Sequence, residues 1–364
     1  MPRSFLGSKS FKGRGVSSNV PGRFDSLTLE QCDDGWYQDE IVENLSETVV
    51  PDRARSVIST NDSPDVGFEA SINPYRGCSH GCIYCFARPT HAYVNLSSGL
   101  DFETKLFYKA NAAELLAREL SRPAYRPEVI NLGASTDPYQ PIEREHAVTR
   151  ALLEVLLNFR HPVTIVTKGH LVLRDLDLLQ ELARLRLCYV MISVTTLDEH
   201  LKRGLEPRAP SPAARLKAVR ALSEAGVPVG VLAAPIIPAL NEHELEDILA
   251  AAAAAGAVSA GFVLLRLPYE IKDLFEGWLR DHVPLRAEHV LSRIRAMRGG
   301  KLNEAQFGTR FKGTGVEAQL LARRFELACR KLGLDSRPRH ALDLGAFRVP
   351  GGGRASAQLS FDGL

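Results

Sequence analysis

From about residue 68 the chain alternates two hydrophobic rhythms. Short apolar, β-rich runs at 69–75, 129–132, 163–167, 189–194, 227–232 and 261–265 read as strands. Between them, apolar residues recur at helical spacing over 112–121, 144–159, 173–185, 213–225 and 241–256, with stops at Gly226 and Gly256. Six strands alternating with helices imply right-handed βαβ units and a parallel sheet. Such a sheet is either doubly wound or curled into a barrel. Six repeats fall short of the eight of a complete barrel, and no dinucleotide glycine fingerprint follows the first strand. Beyond about residue 267 the rhythm changes, with helices predicted at 287–297 and 316–332.

The pattern divides the chain into an N-terminal extension (1–66), a core domain (67–298), a helical C-terminal extension (299–349) and a polar, glycine-rich tail (350–364). Residues 1–24 read as a flexible arm. The apolar residues of 27–50 suggest a segment that packs on the core.

Composition changes this picture little. The 364 residues exceed the roughly 250–300 at which one core stops growing, so extensions or a second domain are expected. With 45% hydrophobic and 24% charged residues, the chain reads as an ordinary soluble globular enzyme. A net charge of +2 gives no bulk attraction to nucleic acid, although a local basic groove is compatible with it. The basic N-terminus lacks the apolar segment of a secretory signal. No stretch approaches the ~20 apolar residues that span a bilayer, which points to a cytoplasmic protein without a membrane partner. The Ala-rich run 249–260 suits a buried helix. Six cysteines in so long a chain do not make a disulfide scaffold. Three of them crowd into eight residues, which points to metal in a reducing compartment.

Those three lie in Asn73-Pro74-Tyr75-Arg76-Gly77-Cys78-Ser79-His80-Gly81-Cys82-Ile83-Tyr84-Cys85-Phe86, directly after the first strand. Thiolates suit zinc or iron–sulfur clusters. Structural zinc takes four closed ligands, so a Cys3His site would need His80 or His91 as the fourth. Iron–sulfur cubanes ordinarily take four cysteines. Three cysteines on one loop therefore leave one iron open to a chelating substrate. Gly77 and Gly81 allow the backbone to fold tightly around such a cluster, and His80 stands where it would line the cluster's surroundings.

The Cys-x-x-x-Cys-x-x-Cys spacing, with Tyr84 as the aromatic residue before the third cysteine, resembles the signature of the radical S-adenosylmethionine (SAM) superfamily. That resemblance implies a 4Fe-4S cluster on Cys78, Cys82 and Cys85 that binds SAM at its unique iron. It implies reductive cleavage to a 5′-deoxyadenosyl radical that takes hydrogen from a substrate, with flavodoxin or ferredoxin as electron donor. It also implies an α/β fold, a partial (β/α)6 TIM-like barrel, which agrees with the six units counted above.

Ligands of βα barrels gather at the C-terminal strand ends. Ser135 and Thr136, with Asp137, follow the second predicted strand, where small residues and hydroxyls suit the ammonium of SAM. Lys168 follows the third and can pair with a carboxylate. Ser193 and Thr195 follow the fourth and suit a ribose. Glu206 precedes a helix carrying Arg215. The apolar Ala234-Pro235-Ile236-Ile237-Pro238 follows the fifth and suits an adenine. Loop residues and helix caps are the alternative for each.

Residues 68–265 are similar to the branch of spore photoproduct lyases and bacterial DNA repair photolyases. The likeness rests on the cysteine loop, Val166-Thr167-Lys168-Gly169-His170, Ser193, Glu206-Pro207 with Ser211-Pro212, and Ala234-Pro235-Ile236. By that resemblance Lys168 and Ser193 contact SAM, with Ser135 or Thr136 contributing, and a nucleic acid leads the possible substrates. A peptide or small metabolite stays open, as does a non-catalytic zinc- or cluster-binding nucleic-acid module. The branch returns a hydrogen atom from a cysteine after its second strand; Ala134 occupies that position here, and neither Cys188, at the start of the fourth strand, nor Cys32 or Cys329 replaces it. At the C-terminus, Arg323, Arg324, Arg330, Lys331, Arg337, Arg339 and His340 make a basic segment, and residues 307–315 interleave aromatics, glycines and cations. A nucleic-acid surface competes there with a solvated helix face and a structured turn, and helical spacing favours the latter.

Overall fold

Each of the six apolar runs forms a strand in the computed structural model, which describes residues 11, 13–24, 46–335 and 342–351. They are β1 (Ala70–Ile72), β2 (Ile130–Leu132), β3 (Val163–Thr167), β4 (Cys188–Ser193), β5 (Val229–Ile236) and β6 (Ser259–Leu264). Neighbours pair in parallel in the order β6-β5-β4-β3-β2-β1, and Ser59–Thr60 adds an antiparallel edge beyond β1. The sheet does not close: β6 and the Ser59–Thr60 edge are its two ends. This is the expected partial barrel. Ile72, Ile130, Leu132, Val163, Ile165, Val190, Val229 and Val231 are wholly withdrawn from solvent.

The helices cover this sheet with stripes at three- and four-residue spacing. Leu152, Leu153 and Leu156 of Val148–Asn158, Leu179 and Leu182 of Leu176–Arg184, and Ala218, Val219 and Leu222 of Pro212–Glu224 are all buried. Three helices differ from expectation, one of them 241–256, which opens as a 3-10 turn over Glu242–Glu244. The helix predicted over 144–159 breaks at Ala147, whose φ is 49°. The Glu143 carboxylate turns inward there and accepts from the backbone N–H of Thr149 (2.9 Å), capping the second piece. The helix predicted from 173 opens as a 3-10 turn over His170–Asp175.

Two features near the cysteine loop depart from the sequence reading. Lys105–Tyr108 is a strand that joins Thr48–Pro51 in parallel and Tyr75–Arg76 antiparallel, making a second small sheet beside the loop. Thr48–Pro51 is a largely exposed edge strand from which Val49 packs against the core; residues 25–45, with Cys32, lie outside the described residues. Residues 13–24 are a correction to the flexible arm: Val16 is buried, Asn19 bonds Asp101, and Val20 exchanges hydrogen bonds with Ser97. The arm passes so close that a Cβ on Gly15 would stand 1.8 Å from the Gly81 carbonyl oxygen.

On the C-terminal side, Gly315–Leu332 lies against Leu245–Ala254, with Arg324 bound to Glu246 at 2.6 Å. Arg323 is exposed beside Glu326, so this part of the basic segment is a solvated helix face. Arg337, Arg339, His340 and the tail from 352 lie outside the described residues. No helix among the described residues is long and apolar enough to cross a membrane.

Candidate functional site

The cysteine loop leaves β1 at Asn73 and is pinned on several sides. Asn73 Oδ1 accepts from the backbone N–H groups of Ser135 (2.8 Å) and Thr136 (3.3 Å), tying this loop to the one after β2. Gln140 reads both faces of the loop backbone, accepting from Ser79 N (2.9 Å) and donating to Gly77 O (3.1 Å). Cys78 N donates to Phe102 O, and Ile83 N to Leu205 O. Gly77 has φ 76°, and a Cβ there would stand 2.8 Å from Leu106 and 3.0 Å from the His91 ring, so only glycine fits.

Beneath the loop is a buried ion pair. The Arg88 guanidinium binds Glu103, and Arg88 also donates to the carbonyls of Cys82, Ser98 and Gly99. Glu103 accepts from Gly15 N at 3.0 Å, which links the N-terminal arm to the same anchor. Buried charges persist only when paired and fully hydrogen-bonded, as these are.

Cys78 and Cys82 are buried and Cys85 is half-buried. Burial pushes the Cys78 thiol well up, with the charges of Asp137, Cys82 and Cys85 adding to it. Burial likewise raises Cys82, to about 12, with Glu206 contributing. The three sulfurs thus sense one another across a desolvated space, where thiolates need cationic metal to persist. Ser79 Oγ, inside the loop, is buried without a hydrogen-bond partner. This donor set fits an iron–sulfur cluster with three protein ligands. Among the described residues no three His, Cys, Asp or Glu side chains are grouped to hold a single metal ion. A four-iron cluster takes one thiolate per iron and does not ask its ligands to converge on a point. His91, the alternative zinc ligand, is engaged at Nε2 by Lys105 O at 3.0 Å, its Nδ1 is buried without a hydrogen-bond partner, and burial lowers its ring to about 4. His80 faces Asp137, with 3.4 Å between Nδ1 and Oδ2.

The ends of β2, β3 and β4 bring polar groups to the same side. Asp137 accepts from Thr167 Oγ1 (2.5 Å), Lys168 N (2.7 Å) and Tyr139 N (2.9 Å). Burial by itself would raise this carboxyl; the charge and hydrogen bond of His80 and the bonds from Thr167 and Lys168 hold it at about 2. Glu206 is fully buried. It pairs with Arg215, receives the Tyr84 hydroxyl, and accepts from Thr195 Oγ1 at 2.6 Å. Arg215 also donates to Ser193 O (3.2 Å). Lys168 Nζ stands 4.0 Å from Glu206 and 5.9 Å from the centre of the Tyr84 ring, and its charge reaches Cys82 and Cys85.

Tyr84, Lys168, Thr195 and Glu206 therefore form one constellation under the cysteine loop. The hydroxyls of Thr195 and Thr136 are engaged within the protein, Thr195 with Glu206 and Ala234 O, and Thr136 with Tyr75 O at 2.8 Å. Ser135 is half-buried and Ser193 buried, and neither hydroxyl bonds another described residue. Sequence reading missed Gln140, Asn241 and the Arg88–Glu103 anchor. Asn241 ties the loop after β4 to the loop after β5 by donating to Thr195 O (2.7 Å) and Pro235 O (3.0 Å). Only their nearness to strand ends or to the cysteines could have signalled them.

Comparison with known proteins gives a consistent picture. The family model of the Radical SAM superfamily matches residues 72–252. An uncharacterized protein of Mycobacterium tuberculosis is 40% identical over 232 residues, covering 63% of this chain and 67% of that protein. One of Methanocaldococcus jannaschii is 29% identical over 196 residues, covering 54% and 70%. Among solved structures, a spore photoproduct lyase variant superposes with a TM-score of 0.60 at 17% identity, over 80% of this chain and 82% of that one. A second variant, with bound AdoMet and dinucleoside spore photoproduct, gives 0.59 at 17%, over the same shares. At such identity these structures speak for the fold.

Proposed function

Because the chain belongs to the radical SAM superfamily, whose members use a 4Fe-4S cluster and SAM and need an electron donor, we propose that Cys78, Cys82 and Cys85 carry that cluster and that the enzyme acts on a nucleic acid. When bound, the reduced cluster and SAM would supply radical chemistry able to remove a hydrogen atom from a substrate. The residues of this chain bind, orient and shield. Lys168 receives the SAM carboxylate as a charge-assisted partner. Ser193 and Ser135, whose hydroxyls bond no other described residue, receive its polar groups. Tyr84, Thr195, Glu206 and Arg215 hold Lys168 in place from behind. Thr136 fixes the loop after β2. Flavodoxin or ferredoxin is the donor.

The observation that carries this reading is the position of Lys168: its ammonium lies within the field of Cys82 and Cys85 and 4.0 Å from a carboxylate already neutralised by Arg215. A cation so placed keeps attraction to spare for an incoming carboxylate. The nucleic-acid part rests on the likeness to spore photoproduct lyase in fold and in strand-end residues. Ala134, half-buried after β2, offers no thiol to return hydrogen to a product radical.

The test is anaerobic reconstitution of the full chain with iron and sulfide, followed by dithionite and SAM. The expected product is 5′-deoxyadenosine; a fully iron-loaded protein that leaves SAM intact refutes the reading. With irradiated DNA containing spore photoproduct, repair is expected to be inefficient, and rapid, repeated restoration of thymine would refute the role given to Ala134.

A further inference from the structure

The open side of the sheet is bridged by residues 307–311. Phe311 O accepts from Leu264 N (2.8 Å) at the end of β6, while Arg310 reaches the turn after the opposite edge strand, bonding Asp65 (2.6 Å) and Ser63. This bridge carries an excess of positive charge. Arg266, directly after β6, stacks on the Phe311 ring with its guanidinium carbon 5.0 Å from the centroid. Arg310 approaches the same ring at 4.8 Å and Phe307 at 4.6 Å. Arg298, only 2% exposed, donates to the carbonyls of Leu264, Leu265 and Arg310.

The nearby carboxylates are already engaged. Asp65 holds Arg310 and accepts from Gly308 N (2.7 Å). Glu304 accepts from its own following backbone at Ala305 and Gln306. Among the described residues the Arg266 guanidinium has no hydrogen-bond or ion-pair partner, and the Nε atoms of Arg266 and Arg298 are both buried and unbonded. Burial, and then the charge of Arg310, press Arg266 below its ordinary range, and the charge of Asp65 offsets only part of this. Arginine does not relieve such a position by losing its proton. An anion relieves it. Beside these cations Phe307 leaves half its surface in water, and an exposed aromatic face next to guanidinium groups suits a nucleobase stacked beside its own phosphate.

We propose that Arg266, Arg310 and Phe307 form a subsite for single-stranded nucleic acid at the open side of the barrel, with a phosphodiester on Arg266 and a base on Phe307. The inference deepens the proposed function and rests on it for the link to catalysis. A phosphate ester on a small molecule shares the anionic chemistry, so the test separates the two sources.

The reconstituted full chain, without SAM or reductant, is titrated with fluorescein-labelled oligothymidylate about twelve nucleotides long, within the span of one single-strand-binding module. The same titration uses an abasic strand of equal length, and inorganic phosphate serves as competitor. Arg266→Gln is expected to weaken binding of the oligothymidylate about ten-fold and to lower the slope of log affinity against log salt by about one. Arg266→Lys should retain most of that slope. Phe307→Ala should lower affinity for the base-bearing strand and leave the abasic strand unchanged. Should Arg266→Gln fail to fold by circular dichroism, the lysine variant and Phe307→Ala carry the test.

Wild-type affinity and slope in folded Arg266→Gln, or equal loss on both strands in Phe307→Ala, overturn the subsite. Displacement of the strand by inorganic phosphate at equal phosphate concentration also overturns it, in favour of a small-anion site. Wild-type protein that cleaves SAM but binds no strand refutes this inference alone. Wild-type protein that binds the strand but forms no 5′-deoxyadenosine refutes the cluster chemistry alone.

Discussion

Glu206→Gln keeps the shape of the side chain and removes one buried charge. Glu206 is inaccessible to solvent and pairs with an Arg215 that is 1% exposed, while Tyr84 and Thr195 take its remaining lone pairs. Burial alone would raise this carboxyl. The charges of Arg215 and Lys168, with hydrogen bonds from Arg215 and Thr195, instead bring it from the ordinary 4.5 to about 2. That depression is worth about 3 kcal/mol at neutral pH. Breaking a buried pair by removing one partner costs about 3–5 kcal/mol, because the other charge is left uncompensated. The two routes agree. The expected outcome of Glu206→Gln is a melting temperature lower by roughly 4–7 °C, measured on the cluster-free protein so that metal does not mask the loss. Adding Arg215→Met should recover part of it, since the stranded charge is gone. The sign with pH follows: the contribution is complete above about 4.5 and is lost as pH falls toward 2, and wild type should lose stability through that window more steeply than Glu206→Gln. A single variant that melts within about 2 °C of wild type would show that the pair contributes little.

Cys78→Ala, Cys82→Ala and Cys85→Ala should each abolish cluster iron and 5′-deoxyadenosine formation together, read by iron assay and chromatography. Cys188→Ala should not, because that thiol donates to Leu179 O at the far end of β4. Lys168→Ala should leave iron content intact and weaken SAM binding about 10- to 100-fold, the loss expected for one charge-assisted hydrogen bond; unchanged affinity in an equilibrium titration would remove Lys168 from the SAM site. Gly15→Ala places a methyl 1.8 Å from the Gly81 carbonyl oxygen, so the arm must move, at a cost of about 1–3 kcal/mol. Limited proteolysis should then cut within residues 13–24 faster than in wild type.

The six parallel strands and the cysteine loop were legible in the sequence because both are local. An apolar run between turn residues forms a strand wherever a sheet receives it, and three cysteines spaced within eight residues share a loop whatever surrounds it. Lys168, Ser193 and Ser135 were legible as strand-end residues because a parallel βα order sends all such ends to one side. What faces what at that side needed the tertiary structure. The Glu206–Arg215 pair joins residues nine apart, but its connection to Tyr84 crosses 122 positions, and no spacing rule reaches so far. Nor could composition show that Gln140 clasps the cysteine loop, or that residues 13–24 fold over it: a polar, glycine-containing arm orders only when specific buried carboxylates such as Glu103 accept its backbone. Residues 307–315 make the same point. Their aromatics and cations were visible as a pattern, yet whether each arginine is neutralised depended on which carboxylates the fold brought near: it brought Asp65 to Arg310 and, among the described residues, none within bonding distance of Arg266.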